Sequence, residues 1–226
     1  MSDTQILIGK SGKENIYWDY KKDKNLFIIG ETGSGAQIVR DTVINAITKC
    51  NILGIIYGID YTKSELGPCQ SIIKNILYVN TLDESLFYLE LELKANSTTS
   101  PIFIIIPDVQ CFWFEDLAYK ENKFIELSNR HENIHLVLCS RAFFNTRADY
   151  AKKYKDNSLF VMIGDLNFYT KGFFYPNLFE LPEVDRKVRG EGIINIDGKP
   201  KKFNAQYDLA KSLYDWVDDC VGEKKK

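Results

Sequence analysis

The chain has 226 residues, 45% hydrophobic and 27% charged, with 29 Lys and Arg against 31 Asp and Glu for a formal net charge of −2. That length fits one domain, or one domain with a small appendage, and the apolar fraction is enough for a real core. The charge balance excludes a strong general attraction to nucleic acid or anionic membrane, and no stretch approaches the ~20 apolar residues that cross a bilayer.

The start, MSDTQILIGK, lacks the charged-then-apolar pattern of a signal peptide. The five cysteines (Cys50, Cys69, Cys111, Cys139, Cys220) are odd in number and scattered, with no CxxC pair. Reduced, mostly buried thiols fit that pattern better than a disulfide framework or a zinc site. A cytosolic location, or the cytosolic side of something larger, is expected.

In chain order, Gln5–Ile8 and Ile16–Tyr20 read as a short hairpin around SGKEN. The apolar run Leu26–Ile29 predicts the first buried strand. Gln37–Cys50 follows as a helix with Ile38, Val43, Ala46, Ile47 and Cys50 on one face. Leu53–Ile59 predicts the next strand, and Asp83–Lys94 a helix that aligns Leu86, Leu89 and Leu93. Ile102–Ile106 is again a strand, and Glu115–Asn129 a third helix. Leu136–Cys139 and Leu159–Ile163 complete five strands with little polar alternation, as expected where both faces are covered. Ile193–Ile196 and Lys202–Ala205 flank Asp197-Gly198, a strong hairpin signal. Tyr207–Val221 carries Leu209, Leu213, Trp216, Val217 and Cys220 at helical spacing. The alternation of strands and helices predicts an α/β fold with a mainly parallel sheet. A single domain over residues 1–226 is expected, with an N-terminal hairpin (1–24), a core (25–206) and a C-terminal helix and tail (207–226).

The informative stretch is LFIIGETGSGAQ, where a strand runs into a glycine-rich turn and then a helix. Gly30, Glu31, Thr32, Gly33, Ser34 and Gly35 occupy the frame GxxxxG of a Walker A loop. Such glycines let backbone N–H groups turn toward a phosphate at the positive end of a helix. The next two positions call for Lys and Ser or Thr, and they hold Ala36 and Gln37. Alanine supplies no charge to the β- and γ-phosphates, and glutamine is a poor magnesium ligand there. Lys24 or Arg40 could supply a substitute cation, whereas Glu31 adds a negative charge beside any phosphate.

The chain resembles the FtsK/SpoIIIE motor domains over most of its length. Ile8-Gly9-Lys10 with Gly12 is similar to that family's approach to the phosphate loop, and NLFIIGETGSG to its HLLVAGxTGSG. Asp60, Glu65 and Leu66 keep the spacing of its DPKxxEL. Ile102–Val109 corresponds to the Walker B strand, with Asp108 on the first acid and Val109 on the second. IHLVLCSRAF resembles IHLVLATQRP, which places Arg141 on the sensor glutamine, and RGEGIINIDGKPKKFNAQY resembles the closing hairpin. Within the family the likeness is greatest to the EssC/EccC ATPases of type VII secretion, membrane-anchored chains of consecutive ATPase domains, and to their third domain.

The resemblance implies a RecA-like P-loop fold, ATP and Mg²⁺ as the ancestral ligands, and a place on the cytoplasmic side of the cell membrane. It implies contacts with the preceding ATPase domains of the same chain and with secretion substrates or other secretion components, with no nucleic acid expected. Ala36, Gln37, Val109 and Arg141 together predict a catalytically degenerate site with no catalytic residue, at which ATP binds weakly if at all. The competing readings are an active DNA translocase or conjugation coupling domain and a nucleotide sensor that does not hydrolyse. His131 and His135 read as structural or solvated rather than metal-binding. The cluster Cys111–Phe114 reads first as core packing, and the aromatics of Phe168–Phe179 as core and loop packing rather than a base-stacking platform.

Overall fold

A computed structural model describes residues 3–49, 54–60, 65, 66, 69, 73, 75–77, 84–110, 118–141, 157–175 and 177–206. Strands β1 (Gln5–Ser11) and β2 (Glu14–Asp19) form the opening hairpin, followed by β3 (Asn25–Gly30) and helix α1 (Ala36–Lys49). Next come β4 (Ile55–Ile59), β5 (Asn75–Leu77), α2 (Glu84–Ser97), β6 (Ile102–Ile106), α3 (Ala118–Arg130) and β7 (Ile134–Ser140). The chain continues through β8 (Ser158–Ile163), α4 (Phe168–Phe174), a 3-10 turn (Leu178–Glu180), β9 (Glu191–Ile196) and β10 (Lys199–Ala205). The helix predicted over Tyr207–Val221 and the Cys111–Phe114 cluster lie outside the described residues, as do Cys50, Cys111 and Cys220.

All ten strands join one sheet in the order β2-β1-β10-β9-β8-β3-β7-β6-β4-β5. From β8 to β5 every pairing is parallel, and from β8 outward through β9, β10, β1 and β2 every pairing is antiparallel. The expected parallel core is therefore present, and the two predicted hairpins extend it on one side. The closing hairpin turns through Asp197 (φ 52°) and Gly198 (φ 78°), the doubly positive pair of a two-residue turn whose twist matches its strands.

Side-chain alternation along β3 divides the core into two layers. Leu26 and Ile28 pack with Val39, Val43, Ile44 and Ile47 of α1 and with Trp18 of the opening hairpin. Phe27 and Ile29 pack on the opposite face with residues of α2, α3 and α4. The sheet is covered on both sides, which is why its strands read as unbroken apolar runs.

Two readings gain detail here. Leu86, Leu89 and Leu93 do share a face of α2, but that face is open, with Leu93 61% exposed. Phe87, Leu91 and Ala95 on the other side enter the core. Leucines at helical spacing occur on both sides of α2, so spacing alone could not say which side meets the sheet. In the Phe168–Phe179 stretch Phe174 and Tyr175 are buried, but Phe168 and Phe179 stand out in solvent. The stretch is divided between core and loop, as expected.

Candidate functional site

The glycine loop lies at the carboxyl end of β3, the end at which open α/β sheets bind ligands. Gly30 ends the strand under tight crowding. A Cβ there would lie 2.6 Å from Ser34 Oγ and 2.8 Å from the Ala36 methyl. Gly33 (φ 85°) and Gly35 (φ 97°) take left-handed backbone that other residues adopt only under strain. Ser34 N–H donates to Glu31 O at 3.0 Å, and α1 begins at once with Ala36. The phosphate-loop backbone is thus present, with Ala36 and Gln37 on the first turn of the helix.

The closing hairpin seals the loop from the side. Gly190 N–H donates to Ser34 O at 2.7 Å, and Gly190 O accepts from Ala205 N–H at 2.8 Å. A Cβ on Gly35 would meet the Gly190 nitrogen at 2.8 Å. The sequence pattern gave no sign of this contact, because it joins residues more than 150 positions apart.

A cleft of about 120 Å³ opens above the loop and gathers Gly30, Glu31, Thr32, Gly33, Gly35, Ala36, Gln37, Asp108 and Arg141, together with Arg40, Glu65 and Cys139. It is small beside the roughly 300–1,000 Å³ of ligand pockets. Ser34, predicted with this set, turns away: its Oγ is buried beneath Gly30 and has no hydrogen-bond partner.

The two cations among the described lining residues are Arg40 and Arg141. Arg40 lies one helical turn beyond Ala36 and is almost wholly buried. Its Nε donates to Asp41 Oδ1 at 2.8 Å and its Nη1 to Glu65 Oε2 at 3.0 Å. Burial opposes its charge, but the Asp41 carboxylate foremost, helped by Glu65, outweighs that and keeps the guanidinium protonated above its ordinary range. Lys24 precedes β3 at the opposite end of the sheet and cannot serve as the substitute cation. Six residue steps of strand separate it from Gly30, on the order of 20 Å.

Asp108 follows β6 and accepts from the Gln110 N–H at 3.0 Å. Arg141 Nε lies 3.8 Å from its other oxygen, a loose pairing on an exposed side chain. Val109 is fully buried in the α2–α4 layer, and its N–H donates to Cys139 O at 2.9 Å. An acid at that position would have to leave the core to reach the cleft. Cys139 sits beneath the cleft, with its thiol pushed up to about 12 by burial. The lining carries three carboxylates (Glu31, Glu65, Asp108) against two guanidinium groups, a balance that opposes a polyanion.

The loop beyond β4 is stapled by Asp60, which is buried and accepts the Leu66 N–H at 2.7 Å. This anchor presents Glu65 to Arg40. The spacing of Asp60, Glu65 and Leu66 was legible in the sequence, whereas the partner of Glu65 was not.

No protein-family model matches the chain, and no curated protein matches it. Solved structures do. The pCW3 conjugation coupling protein TcpA, in its monomer form with ATPγS, superposes with a TM-score of 0.70 at 15% identity, over 95% of this chain and 71% of that one. EssC (ATPases 2 and 3) from Geobacillus thermodenitrificans gives a TM-score of 0.72 at 12% identity, over 97% of this chain. The fold is the RecA-like P-loop fold that these ATPase structures share. EccC (ATPases 2 and 3) from Thermomonospora curvata, in complex with a signal sequence peptide, matches at 0.60 and 16% identity over 90% of this chain. The chain spans 50% of that EssC structure and 40% of that EccC structure.

Among the described residues no helix is long and apolar enough to cross a membrane. His131 and His135 both border a cleft of about 560 Å³ at the opposite end of the sheet. His135 is buried on β7 against the rings of Tyr20 and Phe103, which also touch each other, with Nδ1 3.1 Å from Lys24 O.

Proposed function

We propose that the chain is a catalytically degenerate ATPase-like domain of a type VII secretion motor, acting through protein contacts rather than phosphoryl transfer. The observation that carries this reading is the state of Arg40. Ala36 stands where the loop needs a lysine, and the cation nearest to it in the helix is already held by Asp41 and Glu65. Recruiting Arg40 to a phosphate would break its buried pairing with Asp41, which is 1% exposed.

Phosphoryl transfer rests on positioning and charge stabilisation, so each lost donor commonly costs about 3 kcal/mol or more. Gln37 in place of the magnesium-binding hydroxyl and the buried Val109 in place of the second acid add to that loss. The residues present do not fit a magnesium nucleotide poised for hydrolysis. The likeness to secretion ATPase domains and to a coupling protein supports the ATPase-like ancestry equally for both. The even charge balance and the absence of a basic stripe in the sequence favour the secretion reading over a DNA translocase. In that reading the chain lies on the cytoplasmic side of the membrane, in contact with neighbouring ATPase domains and secretion substrates.

Titration calorimetry with Mg-ATP tests the proposal, on the unaltered chain beside the Ala36→Lys/Gln37→Ser/Val109→Glu variant. The unaltered chain is expected to give weak or no heat. Micromolar binding accompanied by turnover would overturn the reading.

A further inference from the structure

Helix α2 is apolar on two opposite sides. Phe87, Leu91 and Ala95 enter the core, whereas Leu86, Leu89 and Leu93 stand 57%, 52% and 61% exposed on the side away from it. A helix that only covers a sheet needs one apolar stripe, and a helix apolar on both sides is suited to being covered on both. No other described element exposes more than one large apolar side chain. The leucines are thus a patch rather than part of the ordinary scatter of apolar surface.

A shallow groove of about 530 Å³ runs along this stripe, bordered by the three leucines with Glu90, Lys94 and Ser97. Leucines at i, i+3 and i+7 have the spacing of the a and d positions in a two-helix seam. The shape that fills the groove is therefore another helix with apolar residues at the same intervals.

The flanks of the stripe select that helix. On one flank Glu92 is bound to Arg130 of α3 at 2.7 Å. On the other, Glu90 and Lys94 are both exposed, and Lys94 makes no ion pair among the described residues. Each flank is close to neutral, so a strongly basic or strongly acidic partner finds no excess countercharge there.

A second α2 does fit. Laid antiparallel, with the two-fold axis level with Leu91, Leu89 of each copy meets Leu93 of the other. Glu90 of each copy then falls two residue steps, about 3 Å along the axis, from Lys94 of the other. The two Glu90 carboxylates also approach each other, and each has the other copy's Lys94 on its far side. The stripe and its charges are self-complementary, as a two-fold contact requires.

We propose that α2 is a self-association surface, its leucine stripe packing antiparallel on the same stripe of a second copy of this chain. The contact is independent of the nucleotide site. Three half-exposed leucines make a seam smaller than the roughly 800 Å² per partner of a standard interface, so the dimer is weak, with a Kd between about 10 µM and 1 mM.

Sedimentation equilibrium of the full chain in reducing buffer, loaded from about 10 µM to 1 mM, tests this. A reversible monomer–dimer equilibrium is expected. Leu89→Gln/Leu93→Gln, in a protein that melts as the unaltered chain does, is expected to weaken it about tenfold or more. Glu90→Lys and Lys94→Glu should each weaken self-association, since like charges then face each other across the axis. Mixed together, those two variants should associate with each other more tightly than either does with itself. Monomer at every loading would overturn the proposal and leave the face to a different protein. Dimers unchanged by the double leucine substitution, or a mixture of the charge variants that gains nothing, would overturn it as well.

Discussion

Gly190 donates its N–H to the carbonyl of Ser34 at 2.7 Å, tying the closing hairpin to the glycine loop. The loop is therefore held in its phosphate-cradling shape by its own protein and needs no ligand for that. Gly190 itself is left-handed (φ 87°), and a Cβ there would lie 3.1 Å from that of Ala205. Gly190→Ala is expected to destabilise the fold by about 1–3 kcal/mol. Urea denaturation measures the loss, and Gly12→Ala, at φ 58° but in open space, should cost less because strain is its only penalty.

The Arg40 cluster predicts an asymmetry. Arg40→Met removes the cation paired with the buried Asp41 and is expected to cost about 3–5 kcal/mol. Glu65→Gln removes a partner that is 40% exposed, and its cost should stay near 1 kcal/mol or below. Equal losses from the two, measured by denaturation at the same pH, would contradict the assignment of Asp41 as the principal partner.

Much of this was legible in the sequence, and the reason differs by element. Strands buried on both faces announce themselves as apolar runs, so Ile102–Ile106 was read to the residue. The loop glycines were legible because their backbone angles admit little else. Helix α2 was legible as a helix but not in its orientation, since Leu86 and Leu89 look the same as Leu91 until the sheet is present. The Arg40–Glu65 pair and the Gly190–Ser34 bond join residues distant in the chain, and local pattern carries no record of them.

The orientation of α2 has a direct check. Leu91→Ala opens the core and is expected to cost about 2–5 kcal/mol. Leu89→Gln, on the open face, should change stability by about 0.5 kcal/mol or less. The reverse order would restore the leucine face as the buried one.

His135 makes stability depend on pH. Burial lowers its pKa from 6.5 to about 4, against a smaller upward pull from Lys24 O. Its folded value lies below its unfolded value, so the unfolded chain binds the proton first as pH falls. The stability that neutral His135 contributes is complete above about pH 6.5 and is lost on descent toward pH 4, by about 3 kcal/mol in all. In His135→Asn, whose amide can still donate to Lys24 O, denaturation midpoints should be flatter over that interval than in the wild type.

The central claim is that the nucleotide loop persists as structure while its charges are engaged internally. Steady-state phosphate release from saturating Mg-ATP tests it most directly, on the unaltered chain and on Ala36→Lys/Gln37→Ser/Val109→Glu. The account predicts release by the unaltered chain no faster than the protein-free blank. Phosphate release well above that blank, and abolished by Arg40→Met in a protein that remains folded, would contradict it.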